Sequence, residues 1–360
     1  MTTLARTQDV SQETLETIAA AAPGLDAAPA FPHAAFEALA TDGALGLTVS
    51  DGAGGSGVTR AREWAAVRAV ARADGSVGRL YEGHLNGVER VAVAAPEPLR
   101  SAELAAVREG SLRLGVWGAD PATGEGEPAR LTQGASGLTL EGEKVFCSGA
   151  GGLDRALVLA RHDAGGPPAL AYVDLSAGVE VDRSWYRSGG MRASESHRVS
   201  FRGAPVLAVL GEPGELGREP WFSRDAIRTA AAWAGMADTA AASALADLAD
   251  RGEPDDLRAL AAGRIVAARA TIDRWLEHAA TRADAEPDAS LRELSIQLRE
   301  ALSTAGRTIL EEAARACGSR PFATGTPLDR ARRDFELFVL QHRLDPMLVK
   351  LGRSTLEGSA

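Results

Sequence analysis

Proton transfer is the first chemistry suggested by the titratable residues of this chain. His342 closes the run Arg332-Arg333-Asp334-Phe335-Glu336-Leu337-Phe338-Val339-Leu340-Gln341-His342, His84 closes Asp74-Gly75-Ser76-Val77-Gly78-Arg79-Leu80-Tyr81-Glu82-Gly83-His84, and Asp225 closes Trp221-Phe222-Ser223-Arg224-Asp225. An imidazole titrates near neutrality unaided, and a carboxylate is raised toward it in an apolar cleft. Each is therefore an acceptable general base. Each also has a plain reading: a helix-packing or solvated imidazole for His84 and His342, a helix N-cap for Asp225. Gly52-Ala53-Gly54-Gly55-Ser56-Gly57 satisfies the dinucleotide pattern GxGxxG after a strand-like stretch at 45–49. The acid that such a fold needs for the ribose has no suitable position, because Asp74 ends a helical run. The glycines read as a connector between helices. The two cysteines, Cys147 and Cys317, lack metal-ligand spacing, so no metal is expected. They are also too few for a disulfide framework, which favours a reducing, cytoplasmic setting.

These groups must be positioned by more than one core, since 360 residues exceed what a single core usually supports. Residues 1–110 alternate helical patterns with Pro and Gly breaks, with Asp9 or Ser11 as first N-cap and Ser101 opening a later helix. From 111 to 220 the texture becomes short Val, Leu and Thr runs, at 112–117, 138–140, 156–160 and 199–201, between turn residues. From 221 to 360 an Ala-, Leu-, Arg- and Glu-rich helical pattern breaks near 252–254, 284–287 and 318–327, which fits four antiparallel helices. Runs of one element type imply separately packed layers, an α+β architecture and not a doubly wound sheet. The net charge of −10 and pI near 5.3 exclude a nucleic-acid surface. No stretch approaches the ~20 apolar residues of a membrane helix.

Four segments, in order, resemble the acyl-CoA dehydrogenase superfamily of flavoproteins. They are Phe31-Pro32 through Gly57; Gly115-Val116-Trp117-Gly118-Ala119-Asp120-Pro121 with Gly142 to Gly149; Gly189-Gly190-Met191-Arg192-Ala193-Ser194; and the C-terminal stretch from Ala316 through Asp334. The resemblance implies N-terminal helices, a small central β-barrel domain and a C-terminal four-helix bundle that self-associates as a homodimer or homotetramer. It also implies a flavin, FAD or FMN, contacted by Trp117-Gly118-Ala119 and by Phe146-Cys147-Ser148. In that comparison Phe146 matches an aromatic beside the ring, Ser148 a hydroxyl near N5, and Ala119 replaces a threonine. Gly318 and Gly325 would let backbone approach a phosphate.

The family default is oxidation of a small acyl thioester such as an acyl-CoA, with a glutamate base eight residues beyond the aspartate; here that place holds His342. Asp225 matches an alternative position for the base. A flavin monooxygenase branch of the same fold, using reduced flavin and oxygen, places histidines near the flavin, for which His84 and His342 are candidates. The family's Arg-x-x-Phe-Gly hairpin is replaced by an acidic tip, Ala249 to Asp256, with Arg251 and, just beyond it, Arg258. That weakens the case for FAD pyrophosphate and makes FMN credible. Ala119, the absent glutamate and the altered hairpin also leave open a scaffold without flavin chemistry.

Overall fold

The computed structural model describes residues 9–50, 57–134, 137–162, 165–253, 255–341 and 343–358, and its chain gathers into two compact units. The first comprises Met1–Ala66, Arg79–Arg187 and Arg192–Arg218; the second comprises Val67–Gly78, Ser188–Met191 and Glu219–Ala360. Among the described residues no helix is long and apolar enough to cross a membrane.

The first unit opens with helices α1 (Gln12–Ala27) and α2 (His33–Thr41), contains the start of α3 (Arg60–Ala73) and most of α4 (Gly75–Ala94), and continues to α5 (Leu99–Arg108). Ser11 is the N-cap of α1, its hydroxyl accepting from the Thr14 amide at 3.1 Å, which ties off one of the donors a helix start leaves unpaired. Ser101 does not open α5. That helix begins at Leu99 behind Pro98, and the Ser101 hydroxyl donates back to Glu97 at 2.7 Å. The stretch at 45–49 is not a regular strand either. Gly43, at φ +71°, turns the chain into a short 3-10 turn at Ala44–Gly46, so the apolar side chains of Ala44 and Leu45 enter the core from a helical geometry. Most of the glycine motif that follows, residues 52–56, lies outside the described residues.

Seven strands follow: β1 (Leu114–Trp117), β2 (Arg130–Gly134), β3 (Gly137–Cys147), β4 (Arg155–Ala160), β5 (Ala169–Asp174), β6 (Val179–Asp182) and β7 (His197–Leu210). They form one curled sheet in the order β1-β4-β5-β7-β3-β2, with β6 also on β7. All pairs are antiparallel except β1 with β4. Strand β7 is long enough to serve both halves, pairing with β3 and β6 through its first residues and with β5 through its last. One core within the curl holds Trp117, Leu140, Cys147, Val158, Val173 and Phe201; another joins the sheet to α4 and α5 through Val88, Val91, Val107, Leu157 and Tyr172.

The second unit is helical: α6 (Trp221–Ala249), α7 (Asp256–Ala285), α8 (Arg292–Cys317), a single turn α9 (Arg320–Ala323), α10 (Pro327–Phe338) and α11 (Asp345–Leu356). Helices α6, α7, α8 and α10 pack together. Small residues let them approach closely: Gly306 of α8 lies where a Cβ would meet the Phe335 ring at 2.1 Å, and α6 buries alanines along most of its length. The continuous final helix expected to carry His342 is instead two helices. Helix α10 ends at Phe338 and α11 starts at Asp345; His342 lies outside the described residues.

Candidate functional site

The first unit brings two of the sequence motifs together at one end of β3. Antiparallel pairing of β3 with β7 is irregular between Lys144 and Cys147, and the chain kinks there. Phe146 adopts φ +54° and, on the facing strand approach, Glu195 adopts φ +47°. Left-handed backbone at such residues costs about 1–3 kcal/mol each and persists only where surrounding contacts over-determine it. Those contacts are present. Across the gap the Gly149 amide donates to the Ser194 carbonyl at 2.7 Å and the Ala150 amide to the Glu195 carbonyl at 3.2 Å.

The kink sorts three consecutive side chains. Phe146 turns outward, 56 % exposed, its ring edge-on to Trp185 at 4.9 Å between centroids. Cys147 turns into the core, where burial pushes its thiol well above the usual range and removes it as a nucleophile at neutral pH. Ser148 is half-buried; its hydroxyl lies 2.9 Å from that of Ser196, which lies 2.8 Å from that of Ser194.

Trp117, Gly118 and Ala119 are fastened to this feature. The buried Trp117 indole donates to the Ser148 carbonyl at 3.0 Å, and the Val145 amide donates to the Ala119 carbonyl at 3.1 Å. Lys144 reaches the Gly118 carbonyl at 3.2 Å and Asp120 at 2.6 Å, and Asp120 also receives Arg161 at 3.1 Å. Burial depresses the Lys144 ammonium, with Asp120 opposing that shift. Gly118 and Ala119 are exposed, and their amides donate to no other described residue. An exposed aromatic face, an exposed pair of amides and a braced hydroxyl are what a flat, conjugated, hydrogen-bonding heterocycle requires, so these residues fit an isoalloxazine.

His84 has a different duty. It is fully buried in α4, with Nε2 3.0 Å from the Leu45 carbonyl and Nδ1 accepting the Leu114 amide at 3.1 Å. Both nitrogens are used by main chain, so the ring is a neutral tie between three distant segments and not the reactive imidazole expected from its motif. Burial first, then Arg113, lower its pKa to about 4, opposed by the Leu45 contact. Because the folded value lies below the ordinary 6.5, this group's contribution to stability is complete above pH 6.5 and is lost as pH falls toward 4. We expect a loss on the order of 3 kcal/mol over that window. Urea midpoints measured across it should fall less steeply for His84→Gln than for the wild type, and equal slopes would show that the acid sensitivity arises elsewhere.

In the second unit, Asp225 sits in the second turn of α6 and is not its N-cap, since the helix starts at Trp221 behind Pro220. Its Oδ1 accepts from Arg228 at 3.0 Å, and Arg228 is fully buried, so the carboxylate serves as counter-ion to an internal cation. Arg333 and Asp334, which the sequence offered only as landmarks, hold the Gly189-Gly190-Met191 turn. Arg333 donates to the Gly189 carbonyl and Asp334 accepts the Met191 amide. Gly318 and Gly325 are exposed at φ +73° and +65° with no atom near a would-be Cβ, so both leave open backbone. The hairpin arginines are engaged locally. Arg251 donates to the Ala316 and Cys317 carbonyls and pairs with Asp247 at 2.5 Å; Arg258 pairs with Asp255 at 3.0 Å and donates to the Arg251 and Glu253 carbonyls.

Sequence reasoning passed over Ser196, Trp185 and Lys144.

Comparison with known proteins agrees with this fold. The family model for the acyl-CoA dehydrogenase N-terminal domain matches residues 4–109. The L-evernosamine nitrososynthase of a Micromonospora species is 30% identical over 362 aligned positions, spanning 91% of this chain and 83% of that protein. FMN-bound TdsC from Paenibacillus sp. A11-2, a dibenzothiophene monooxygenase, superposes with a TM-score of 0.84 at 25% identity over 98% of both chains. KijD3 in complex with FMN and dTDP-3-amino-2,3,6-trideoxy-4-keto-3-methyl-D-glucose superposes at 0.80 with 26% identity, covering 97% of this chain and 92% of that one. With its order of helices, curled sheet and helices, and with its relatives, this chain belongs to the acyl-CoA dehydrogenase superfamily of flavin-dependent oxidoreductases.

Proposed function

We propose that this chain is an FMN-dependent monooxygenase that oxidises a heteroatom, amine nitrogen or sulfur, of a small molecule. The observation that supports the reading is similarity along nearly the whole chain to a nitrososynthase, to the FMN-bound monooxygenase TdsC and to KijD3 in complex with FMN and an amino sugar nucleotide. Desaturation of an acyl thioester has less support. It needs a carboxylate held ready for a substrate proton, whereas Asp225 is committed to Arg228.

The choice of FMN over FAD is supported within the second unit. A diphosphate needs guanidinium groups turned toward it, and Arg251 and Arg258 are occupied by carbonyls and by Asp247 and Asp255, in a hairpin that also carries Asp250 and Asp256. In the first unit Phe146, backed by Trp185, would lie against the ring, the Gly118 and Ala119 amides would meet its polar edge, and Ser148 would supply a hydroxyl beside it. When bound, reduced FMN would provide the two electrons that let one atom of dioxygen join the substrate heteroatom while the other leaves as water. The apolar pair Phe146 and Trp185 would keep water from that face, and Ser148 would hold a proton within reach.

Purified protein titrated with the two flavins should bind FMN at least as tightly as FAD. Supplied with reduced FMN and isotopically labelled oxygen, it should transfer label to an amino sugar or to an aryl sulfide. Anaerobic bleaching of bound flavin by acyl-CoA would replace this reading with the dehydrogenase one. No uptake of either flavin would leave a scaffold without redox chemistry.

A further inference from the structure

Ser148 presents its hydroxyl at the exposed end of a row of three, with Ser196 and Ser194 behind it, both buried, at successive separations of 2.9 and 2.8 Å. The main chain around the row is locked. The Ser148 amide donates to the Phe146 carbonyl at 2.9 Å, the His197 amide to the Glu195 carbonyl at 2.9 Å, and two further amide contacts cross between the kinks. With the backbone fixed, the direction of the Ser148 hydroxyl is the freedom that remains.

That direction is set from behind. Each hydroxyl has one proton, so a serine that accepts from its neighbour keeps its own proton to give onward, and the Ser148–Ser196 contact can run in either sense. If Ser194 donates to Ser196 and Ser196 to Ser148, the proton left over points outward. In the opposite sense, Ser148 offers lone pairs outward. An oxidised flavin ring presents bare nitrogen, whereas the reduced ring presents N–H, so a reversible row suits both. Resting on the flavin reading above, we infer that Ser196 is a positioning residue, backed by Ser194, that aims the Ser148 hydroxyl at bound flavin and lets it act as donor or acceptor.

The test uses full-length protein with FMN as the probe, oxidised and chemically reduced, read by affinity and by the visible absorption band. Ser196→Ala is expected to melt cooperatively within a few degrees of wild type, to weaken binding of at least one redox form by about 3- to 10-fold and to shift the visible band. Ser196→Thr, which restores a hydroxyl, should bring both readouts back. Ser148→Ala should disturb them at least as much as Ser196→Ala. Wild-type affinity and band in Ser196→Ala, alongside a changed Ser148→Ala, would overturn the inference while leaving the site reading intact. An unchanged Ser148→Ala would overturn the site reading itself. If Ser196→Ala melts early, Ser194→Ala takes its place: a smaller shift in the same direction supports the row, and no shift beside a responsive Ser148→Ala overturns it.

Discussion

Gly190→Ala should be among the most damaging single substitutions in this protein, lowering stability by about 3 kcal/mol and the melting temperature by about 5–10 °C. A Cβ at this position would stand 2.0 Å from the Arg333 carbonyl oxygen, 2.5 Å from its carbon and 3.0 Å from the Asp334 nitrogen. All three are main-chain atoms of α10, so no rotamer change relieves the clash. Either α10 or the turn must move. Movement would break the Met191 amide's contact with Asp334 and the Gly189 carbonyl's contact with Arg333, because all of them belong to the same few residues. Asp334→Ala reaches the turn from the other side and should cost about 2–3 kcal/mol by leaving a buried amide without an acceptor. Asp334→Asn, which keeps a carbonyl oxygen in place, should cost less. Chemical unfolding ranks the three, and a Gly190→Ala protein that melts within about 1 °C of wild type would contradict the packing described.

The second large effect is expected in turnover. Ser148→Ala should slow formation of oxygenated product by about 100-fold, the scale seen when one hydrogen bond at a reacting centre is removed. Its effect on folding should stay near 1 kcal/mol, since Trp117 holds the Ser148 main-chain carbonyl and only the contact with Ser196 is lost. Product should fall more than oxygen consumption, with the difference appearing as hydrogen peroxide. Parallel measurement of the three quantities decides the matter: an unaltered product-to-oxygen ratio would remove Ser148 from the chemistry.

These expectations show where reading the chain succeeds and where it stops. Helix breaks near residues 253 and 286 were readable because Gly and Pro interrupt the periodicity, and the observed helices end at Ala249 and Ala285. The switch from helices to strands near residue 112 was equally plain. The contacts of His84 were not legible because its two partners stand 39 and 30 residues away, and no local pattern reports them. The base expected at position 342 lies outside the described residues, and the helix that was to carry it ends at Phe338. The type and place of Phe146 were legible, but its left-handed backbone is imposed by the facing strand and is opposed by its own bulk. Ser148 and Ser196 become neighbours only through the pairing of β3 with β7, so their relationship belongs to the sheet and not to either segment.

The engagement of Arg251 and Arg258 with nearby carbonyls and carboxylates has a bearing on supply. For the proposed mononucleotide, a hairpin without an outstretched cation gives no diphosphate anchor, so residence on the protein rests on the ring and a single phosphate. Occupancy would then track the free flavin concentration, and the tempo of the whole cycle would pass from the oxygenase to whatever delivers its electrons.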